Sequence, residues 1–471
     1  MVLPAILDPY ATGAAPAVMT RIALDWMIEQ TSLDPILEDV AVGQYDREFL
    51  LGHFVQVMAD VACGFRRSLR AAFLKRQLHL VASISAFYRK LARMEPVVAA
   101  AIVRETAARA RALIVAAKGL TPEPITGYAA RILDGNVLTG TEHRITELRS
   151  TLSAALPGKS LTIYEPASGL VLGVILEENA HTQERALLDQ VIIELGQVWI
   201  MDRNFCVRTF LFRMLRAGAF FLVRRHASTL PFESIKPLKP AGRCDAGEIL
   251  EQPIWVDDPE CEGRRYRLRR IVLRLDVPTR EGETEIVLIT NLPAGVPAEL
   301  CCQAYRGRWE IETHYQKLTD LLHCEIPTLG YPRAALFAFC MSVIAGNALA
   351  ILKGNLRAVH GDEMVAELST YALVNDVAEV YPGMMIGVPA VEWSFLRDCS
   401  VAQVAELLTN LATKVPLDQM LRCRRGPKKP RKIKKSSGSR IHHVATKKLL
   451  DKAGGLPPPE KVCSKRSKVT G

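Results

Sequence analysis

The sequence predicts a mixed α/β fold, with a helical N-terminal part and a β-rich insertion. Apolar side chains recur at helical spacing through residues 20–118. Between residues 129 and 226, short apolar runs alternate with helix-like segments, a pattern typical of a sheet flanked by helices. Residues 227–295 hold prolines, turns and strand-like runs but no good helical pattern. At 471 residues and 49% apolar composition, the chain can form two or three globular domains.

The helical N-terminal part has its clearest periodicity at residues 48–65 and 97–119. Basic residues cluster on some of these helices: Arg66, Arg67, Arg70, Lys75 and Arg76. Such a cluster can form a surface that faces nucleic acid, or it can be an ordinary solvated helix face. The residues alone leave both interpretations open.

The first strands of the mixed unit follow directly. Residues 129–138 predict a strand, and Asp134 interrupts their otherwise apolar run. A short helix at 142–155 and the turn "PGK" are expected next. "SLTIYEP" and "LVLGVILEE" then predict two paired strands, because only "ASG" separates them.

The second part of this unit alternates helices and strands. We expect a helix at about 182–195, then the buried strand "QVWIMD" (197–202), which ends at Asp202. The segment "FCVRTFLFRMLRAG" predicts a helix that stops at Gly218. "AFFLVRRH" (219–226) predicts the fifth strand.

The insertion contains the strand-like runs "EQPIWV", "RRYRLRRIVLRLDV" and "EIVLITNLP". Six arginines fall within residues 264–274. Alternation along a strand puts them on both faces, so at least one face is expected to be wet or bound to an anion. Contact with phosphate is one interpretation, and a solvated edge strand protected by charge is the other.

An apolar run, Ala334 to Leu352, has no charged residue and approaches the length of a membrane span. It contains Ser342, Gly346 and Asn347, and the sequence has no second such run. We therefore expect a buried helix of a soluble protein rather than a membrane span. A mixed helical region is expected to continue to about residue 420.

The net charge of +10 is concentrated at one end of the chain. Residues 422–471 carry +15, so the other 421 residues carry −5. "RCRRGPKKPRKIKK" (422–435) has nine basic residues in fourteen and no apolar periodicity, which predicts a disordered tail. A polyanion such as nucleic acid is the expected partner, with a solubilising tail as the alternative.

Several familiar signals are absent or incomplete. The start "MVLPAILDPYATG" is a poor signal peptide, and the eleven cysteines include no CxxC, so we expect a reducing cytosol. "PGKS" (157–160) lacks the earlier glycine of a phosphate loop, and "HTQER" (181–185) lacks the spacing of a zinc motif. We interpret His181 and Glu184 as polar residues at a helix start. Neither a cysteine metal site at Cys301-Cys302 nor a GxSxG elbow is supported.

Three carboxylates remain as candidates for chemistry. Asp134 lies in the first strand, Asp202 ends the fourth, and Glu312 lies on the helix "YRGRWEIETHYQKL" (305–318). Tyr305, Arg308 and Glu312 fall within about 60° of one another on that helix. Carboxylates that converge from two strands and a helix can hold two Mg²⁺ or Mn²⁺ ions for phosphodiester chemistry.

Four segments resemble the DDE transposases of bacterial insertion sequences, in the insertion-sequence-four family: "RILDGNVLTGTEHRI", "VWIMDRNFC", "FFLVRRH" and "YRGRWEIETHYQKL". The last resembles the family's Tyr-x2-Arg-x3-Glu-x6-Lys signature. The resemblance extends from about residue 20 to 420. It implies a ribonuclease H-like mixed sheet with flanking helices and a β-rich insertion.

The resemblance also implies a function, which is metal-dependent DNA cleavage and strand transfer in cut-and-paste transposition. It implies that Asp134, Asp202 and Glu312 are catalytic and hold two Mg²⁺ ions, for which Mn²⁺ can substitute. DNA contacts are expected from five residues: Tyr305, Arg308, Arg203, Arg224 and Thr319. The expected partner is double-stranded DNA at the element ends and target, bound by a homodimeric synaptic complex without a membrane. The expected location is the bacterial cytoplasm, in association with the nucleoid.

Five segments are expected from these patterns. They are an N-terminal helical, DNA-end-binding domain at 1–119, the first part of the catalytic domain at 120–226, the β-rich insertion at 227–295, the catalytic helix with a helical region at 296–420, and a basic disordered tail at 421–471.

One position departs from the family signature. Thr319 stands where the family has its lysine, seven residues after Glu312. Lys317 lies about 160° away around the helix from position 319, so it does not replace that cation. We expect weakened DNA binding, by on the order of one unit of salt slope. The departure keeps open a second function, a catalytically inactive DNA-binding protein descended from a transposase, and a nuclease that only hydrolyses is a third.

Overall fold

The computed structural model describes residues 3–42, 51–76, 83–143, 145–226, 228–279, 282–308, 328–422 and 443–454, and positions 311, 315, 322 and 326. Within these residues, ten strands form one large mixed sheet, and helices flank it. The predicted fold class is confirmed. The boundaries proposed between domains stay a prediction.

The N-terminal residues that the structure describes are helical, as their periodicity predicts. Their helices are α1 (Asp8–Gly13), α2 (Ala15–Met27), α3 (Gln30–Val40), α4 (Leu51–Ala62), α5 (Leu69–Arg76), α6 (Ile84–Ala92) and α7 (Pro96–Ala116). Proline at the first turn starts α2 and α7, where a missing N–H costs nothing. Helix α7 packs against the outer strand of the sheet.

The first half of the sheet contains the five strands that the sequence predicts. Its strands are β1 (Ala129–Val137), β3 (Lys159–Glu165), β4 (Leu170–Glu177), β5 (Gln197–Met201) and β6 (Phe220–Arg224). Their spatial order is β4-β3-β1-β5-β6. Strands β3 and β4 form an antiparallel hairpin beside β1, whereas β5 and β6 run parallel to β1 and β5 respectively.

Both faces of this sheet are covered. Val198 and Ile200 of β5 join the larger apolar core, while Trp199 and Met201 join a second core on the other face. This explains why all five residues of β5 are buried and why the four residues after Gln197 form a continuous apolar run.

Three predicted helices differ from the structure. The segment 142–155 forms only a 3-10 turn, Thr146–Leu148, and ends in β2 (Ala155–Leu156). The predicted helix at 182–195 is a 3-10 helix, Glu184–Gln190. The helix before the fifth strand, α8, begins three residues late and spans Arg208–Arg216.

The β-rich insertion extends the same sheet. It contains β7 (Glu233–Ser234), β8 (Lys239–Cys244), β9 (Gly247–Asp257), β10 (Arg265–Leu275) and β11 (Glu285–Thr290). Strand β11 pairs with β6, and the order continues β11-β10-β9-β7. Strand β10 is therefore internal, and its interpretation as an edge strand is wrong.

The arginines of β10 are largely used within the sheet. Arg265 pairs with Glu233 and Asp257, Arg269 pairs with Glu251, and Arg274 pairs with Glu248 and Glu285. Arg264 and Arg267 are exposed. Phosphate contact by residues 264–274 stays a prediction; Arg265 and Arg274 are exposed as well but form the ion pairs above, so Arg264 and Arg267 are the main candidates.

The remaining helices follow the insertion. They are α9 (Ala298–Gly307), α10 (Pro332–His360), α11 (Asp362–Ala366), α12 (Thr370–Gly387), α13 (Val401–Ala412) and α14 (Thr446–Lys452), with 3-10 helices at Ala390–Asp398 and Leu417–Met420. Pro382 lies inside α12.

Helix α10 is the apolar run singled out in the sequence, and it is a core helix. It is the one described helix long and apolar enough to cross a membrane, yet 94% of its apolar window is buried inside the protein. It packs against α2, α4, α7, α13 and β4. This burial supports the interpretation of a buried helix.

A buried asparagine joins α10 to the outer strand of the sheet. The Asn347 side chain accepts a hydrogen bond from the Val171 N–H and donates one to the Val171 carbonyl, both at 2.9 Å. These bonds satisfy the amide of a fully buried side chain. Gly119 and Gly354 bring the end of α7 into close contact with α10, because a Cβ at position 119 would overlap the Gly354 backbone.

Part of the predicted disordered tail is ordered. Val444–Ala445 forms β12, which pairs in parallel with β2, and α14 follows it. The expectation of disorder is therefore wrong for residues 443–454. The basic stretch 423–442 lies outside the described residues.

Candidate functional site

Asp134 and Asp202 lie on adjacent strands, just after the last residue pair that joins β1 to β5. Strand β1 pairs in parallel with β5, and Leu133 lies opposite Met201. Asp134 and Asp202 each follow that pair by one residue. Because side chains alternate along a strand, both carboxylates lie on the face of the larger apolar core, opposite to Leu133 and Met201. The two aspartates therefore follow paired residues of adjacent parallel strands on one face of the sheet, and their joint role in metal binding stays a prediction.

The half-buried Asp134 carboxylate is held by groups from two elements. Its Oδ1 accepts a hydrogen bond from the Gly135 N–H at 3.1 Å. Its Oδ2 lies 3.5 Å from Nη1 of Arg308. The Tyr315 hydroxyl donates to the Asp134 carbonyl at 3.2 Å. Residues at both ends of the 308–315 segment thus contact the same aspartate.

Asp202 is fixed by the turn that follows it. It is the N-cap of the 3-10 helix Arg203–Phe205, and its Oδ1 accepts a hydrogen bond from the Asn204 N–H at 2.6 Å. A carboxylate at this position satisfies an amide that the short helix leaves without a partner. The turn therefore holds Asp202 at the carboxyl end of β5.

Helix α9 brings Tyr305 and Arg308 to the two aspartates. It begins after Pro297, carries Glu299 in its first turn, and buries Cys301 and Cys302 against the core. Burial raises the pKa of the Cys301 thiol to about 11, so this thiol stays neutral and serves as a core residue. The two cysteines are free thiols in a packed helix, as the missing metal spacing suggests.

The Tyr305 hydroxyl stays protonated at neutral pH. Burial raises its pKa, nearby Arg308 and Arg224 oppose the shift, and the charge of Asp202 adds to it. Tyr305 and Arg308 are both more than nine-tenths buried. Of the three residues predicted to share one face of this helix, Tyr305 and Arg308 have described positions, and both lie near the aspartates.

Arg203 and Arg224 meet at one carboxylate from the insertion. Glu283 lies 3.4 Å from Arg203 and 2.5 Å from Arg224. Burial alone would lower the pKa of Arg224, but its hydrogen bonds with Glu283 and Tyr305 raise it. The hydrogen bond from Arg224 in turn lowers the pKa of Glu283. Two predicted DNA-binding cations thus share an acidic partner.

Glu184 is a site residue that the sequence interpretation missed. Its Oε2 accepts a hydrogen bond from the Asn204 side chain at 2.5 Å. A Cβ at position 135 would overlap the Glu184 carboxylate, so Glu184 packs on the backbone next to Asp134. The spacing of "HTQER" gave no hint of this contact, because the partners lie about 20 and 50 residues away in the chain.

Two predicted site residues, Glu312 and Thr319, lie outside the described residues, as does Lys317. Their roles stay predictions. Of the basic cluster on the N-terminal helices, Arg76 is bound by Asp60 and Gln56, while Arg67, Arg70 and Lys75 are exposed.

The two aspartates suit a divalent cation in donor type. They supply carboxylate oxygens, which Mg²⁺ and Mn²⁺ prefer. Within the part of the chain that the structure describes, no group of three or more His, Cys, Asp and Glu side chains is arranged to hold a metal. The described residues therefore fit as two ligands of a metal site, with the third expected from Glu312.

Comparison with known proteins finds one family that matches part of the chain. Residues 126–345 match the family described as "Transposase DDE domain", and this range contains both aspartates and helix α9. The match supports a transposase function. No curated protein matches the chain.

Among solved structures, the cryo-EM structure of a piggyBac transposase synaptic complex with hairpin DNA is similar, with a TM-score of 0.39 and 11% identity. The similarity covers 84% of this chain and 86% of that chain.

Proposed function

We propose that this chain is a DDE-type DNA transposase in which Asp134, Asp202 and Glu312 are the catalytic carboxylates. The observation that carries the proposal is the position of Asp134 and Asp202 directly after the last residue pair of the parallel strands β1 and β5, with Arg308 at 3.5 Å from Asp134. This arrangement lies inside the residues matched by the transposase domain. Arg308 and Tyr315, which flank Glu312 in sequence, both contact Asp134.

The finer assignment is to the insertion-sequence-four family. Tyr305, Arg308 and Glu312 have its signature spacing, and the burial of Tyr305 and Arg308 beside the aspartates supports it. The β-rich insertion between the fifth strand and α9 agrees with the same family.

Each residue of the candidate site has a role in the proposed reaction. Asp134, Asp202 and Glu312 hold the metal, with Mg²⁺ as the expected ion and two ions as the expected number. The chemistry supplied by the bound metal is activation of water or a 3′-hydroxyl and stabilisation of the leaving oxygen. Arg308 provides positive charge beside Asp134, and the neutral Tyr305 hydroxyl can donate a hydrogen bond to a phosphate.

Double-stranded DNA is the proposed partner. Arg203 and Arg224, which pair with Glu283 in this structure, are the proposed phosphate contacts, with Thr319 as a further expected contact. Joining two element ends requires at least a homodimer on DNA, without a membrane. A location in the bacterial cytoplasm, associated with the nucleoid, follows from this substrate.

The test is the Asp202→Asn variant in a strand-transfer assay with Mg²⁺ or Mn²⁺ and DNA that carries the element ends. We expect cleavage to be abolished while DNA binding in a gel shift stays within about twofold, because the change removes one charge from the metal site. The control is Asp189→Asn, whose side chain is fully exposed. Normal cutting by Asp202→Asn would refute the proposed metal role.

The second candidate is a catalytically inactive DNA-binding protein derived from a transposase. Thr319 in place of the family lysine favours it, whereas the paired Asp134 and Asp202 oppose it. DNA that the wild-type protein shifts but never nicks, in either metal, would select this candidate. Cut ends without joined products would select a nuclease that only hydrolyses.

A further inference from the structure

Glu184 links the two sides of the candidate active site. Its carboxylate packs against Gly135, next to Asp134, and accepts a hydrogen bond from the Asn204 side chain. The Asn204 N–H in turn donates to Asp202 at 2.6 Å. A carboxylate can only accept, so the amide nitrogen of Asn204 has to face Glu184. Glu184 therefore reaches Asp202 through one residue.

The turn that carries Asp202 is anchored at three points. The Asn204 N–H binds Asp202, its side chain binds Glu184, and its carbonyl accepts a hydrogen bond from Arg185 Nε at 2.9 Å. Two of these three anchors come from the 3-10 helix Glu184–Gln190. That short helix is therefore a support for the turn.

Glu184 is placed to position a ligand and not to be one. Side chains alternate along β1, so the side of Gly135 that Glu184 covers is opposite to the side on which the Asp134 carboxylate lies. Among the residues with described positions, Glu184 and the two aspartates do not form a group that could hold a metal. Glu184 therefore acts on Asp202 through its hydrogen bond with Asn204.

We propose that Glu184 is a positioning residue that fixes Asp202 for metal binding by holding Asn204. The inference rests on the proposed metal-dependent function. Partners that orient metal ligands in this way typically affect metal affinity by about 10–100-fold.

The test compares Glu184→Ala, Glu184→Gln, Asn204→Ala and the double variant Glu184→Ala/Asn204→Ala. Asp189→Ala is the control, since Asp189 is fully exposed on the same 3-10 helix. Two readouts are used: calorimetric Mn²⁺ affinity of the full chain, and hydrogen exchange of the amides of residues 203–206. The second readout needs neither metal nor activity.

We expect Glu184→Ala to weaken Mn²⁺ binding about tenfold and to speed exchange at Asn204. Glu184→Gln retains an acceptor for the Asn204 amide and should keep both values near wild type. The double variant should be no worse than either alanine variant, because both remove the same contact.

Each other outcome has a distinct meaning. Mn²⁺ affinity within twofold of wild type in Glu184→Ala overturns the positioning role and leaves the proposed function intact. An equal loss in Glu184→Gln also overturns it, because the charge and not the hydrogen bond would then matter. If Asp202→Asn binds Mn²⁺ as tightly as wild type, the proposed metal site fails. Unchanged exchange at Asn204 in Glu184→Ala overturns the positioning role independently of metal.

Discussion

Asp134 and Asp202 lie side by side, yet each is held in a different way. Asp202 is fixed by a bond from Asn204, two residues further along the chain. Asp134 is bound by its neighbour Gly135 and approached by Arg308, from a helix more than 160 residues later. The position of Asp134 within a strand and of Asp202 at a strand end could be predicted from sequence, because strands are recognised as apolar runs. The support from Glu184 could not, because that contact leaves no spacing signal.

At the residue scale, Gly135→Ala tests whether Mn²⁺ binding depends on the space that Gly135 leaves for the Glu184 carboxylate. The new Cβ would overlap only the end of the flexible Glu184 side chain, so the carboxylate should move while the fold survives. We expect Mn²⁺ affinity to fall about tenfold, with the thermal midpoint changed by less than about 4 °C. Calorimetry and thermal unfolding measure the two quantities.

The matched control is Gly173→Ala on β4, where the new Cβ makes only an ordinary contact with Ile163 at 4.0 Å. It should leave Mn²⁺ affinity unchanged. Equal affinity in Gly135→Ala and wild type would contradict the role assigned to this space.

At the scale of elements, the hairpin between β10 and β11 reaches the candidate site through Glu283. This carboxylate binds Arg203 and Arg224, and Arg224 also bonds with Tyr305. Because Arg224 holds the pKa of Glu283 below its usual range, the carboxylate stays charged at neutral pH and the contact is lost only as the solution becomes acidic. Without DNA, Glu283 thus occupies two cations that a phosphate would need.

Glu283→Gln should therefore strengthen DNA binding. Releasing Arg203 and Arg224 makes them available to phosphates, so we expect tighter binding at low salt and a salt slope steeper by about one unit. Fluorescence anisotropy with a labelled duplex over a range of salt concentrations measures both effects.

The control for this prediction is Glu285→Gln. Glu285 lies in β11 and binds Arg274, away from the aspartates, yet its loss changes the net charge by the same amount. If both variants strengthened DNA binding equally, a general charge effect would explain the result and the specific role of Glu283 would be excluded.

At the scale of the whole molecule, the sequence predicts helices and strands correctly where they are long and periodic. It fails where a strand pairs with residues far away in the chain. The five strands of the first half of the sheet and the buried α10 follow from apolar runs. The segment 142–155 was expected to be helical, but Ala155–Leu156 pairs with Val444–Ala445, nearly 290 residues away. Strand β10 is internal for the same reason, since its neighbours are set by pairing that periodicity does not encode.

Asn347→Ala tests how strongly α10 holds the sheet. The change removes both side-chain bonds to Val171, whose N–H and carbonyl would lose these partners in a buried place. We expect the free energy of unfolding to fall by about 2–6 kcal/mol, from about 1–3 kcal/mol for each of the two unsatisfied groups. Guanidinium denaturation measures it.

Asn355→Ala is the comparison for that variant. Asn355 is equally buried on α10, but its side chain donates to the Ile351 carbonyl of its own helix and accepts from the Thr409 hydroxyl of α13, with no bond to a strand. Asn355→Ala should lower the free energy of unfolding by less than Asn347→Ala does, because it breaks no contact between α10 and a strand. A loss in Asn347→Ala no larger than that in Asn355→Ala would show that the bonds to Val171 do not hold the sheet.

The pairing of β11 with β6 ties the insertion to the strand that neighbours β5 and Asp202. Residues Leu222–Arg224 of β6 carry the ladder directly into the insertion, so the insertion cannot swing as a separate body without breaking those bonds. Strands rise about 3.3 Å per residue, so a two-residue shift in this register, which keeps every side chain on its face, would move the insertion by about 7 Å relative to Asp202.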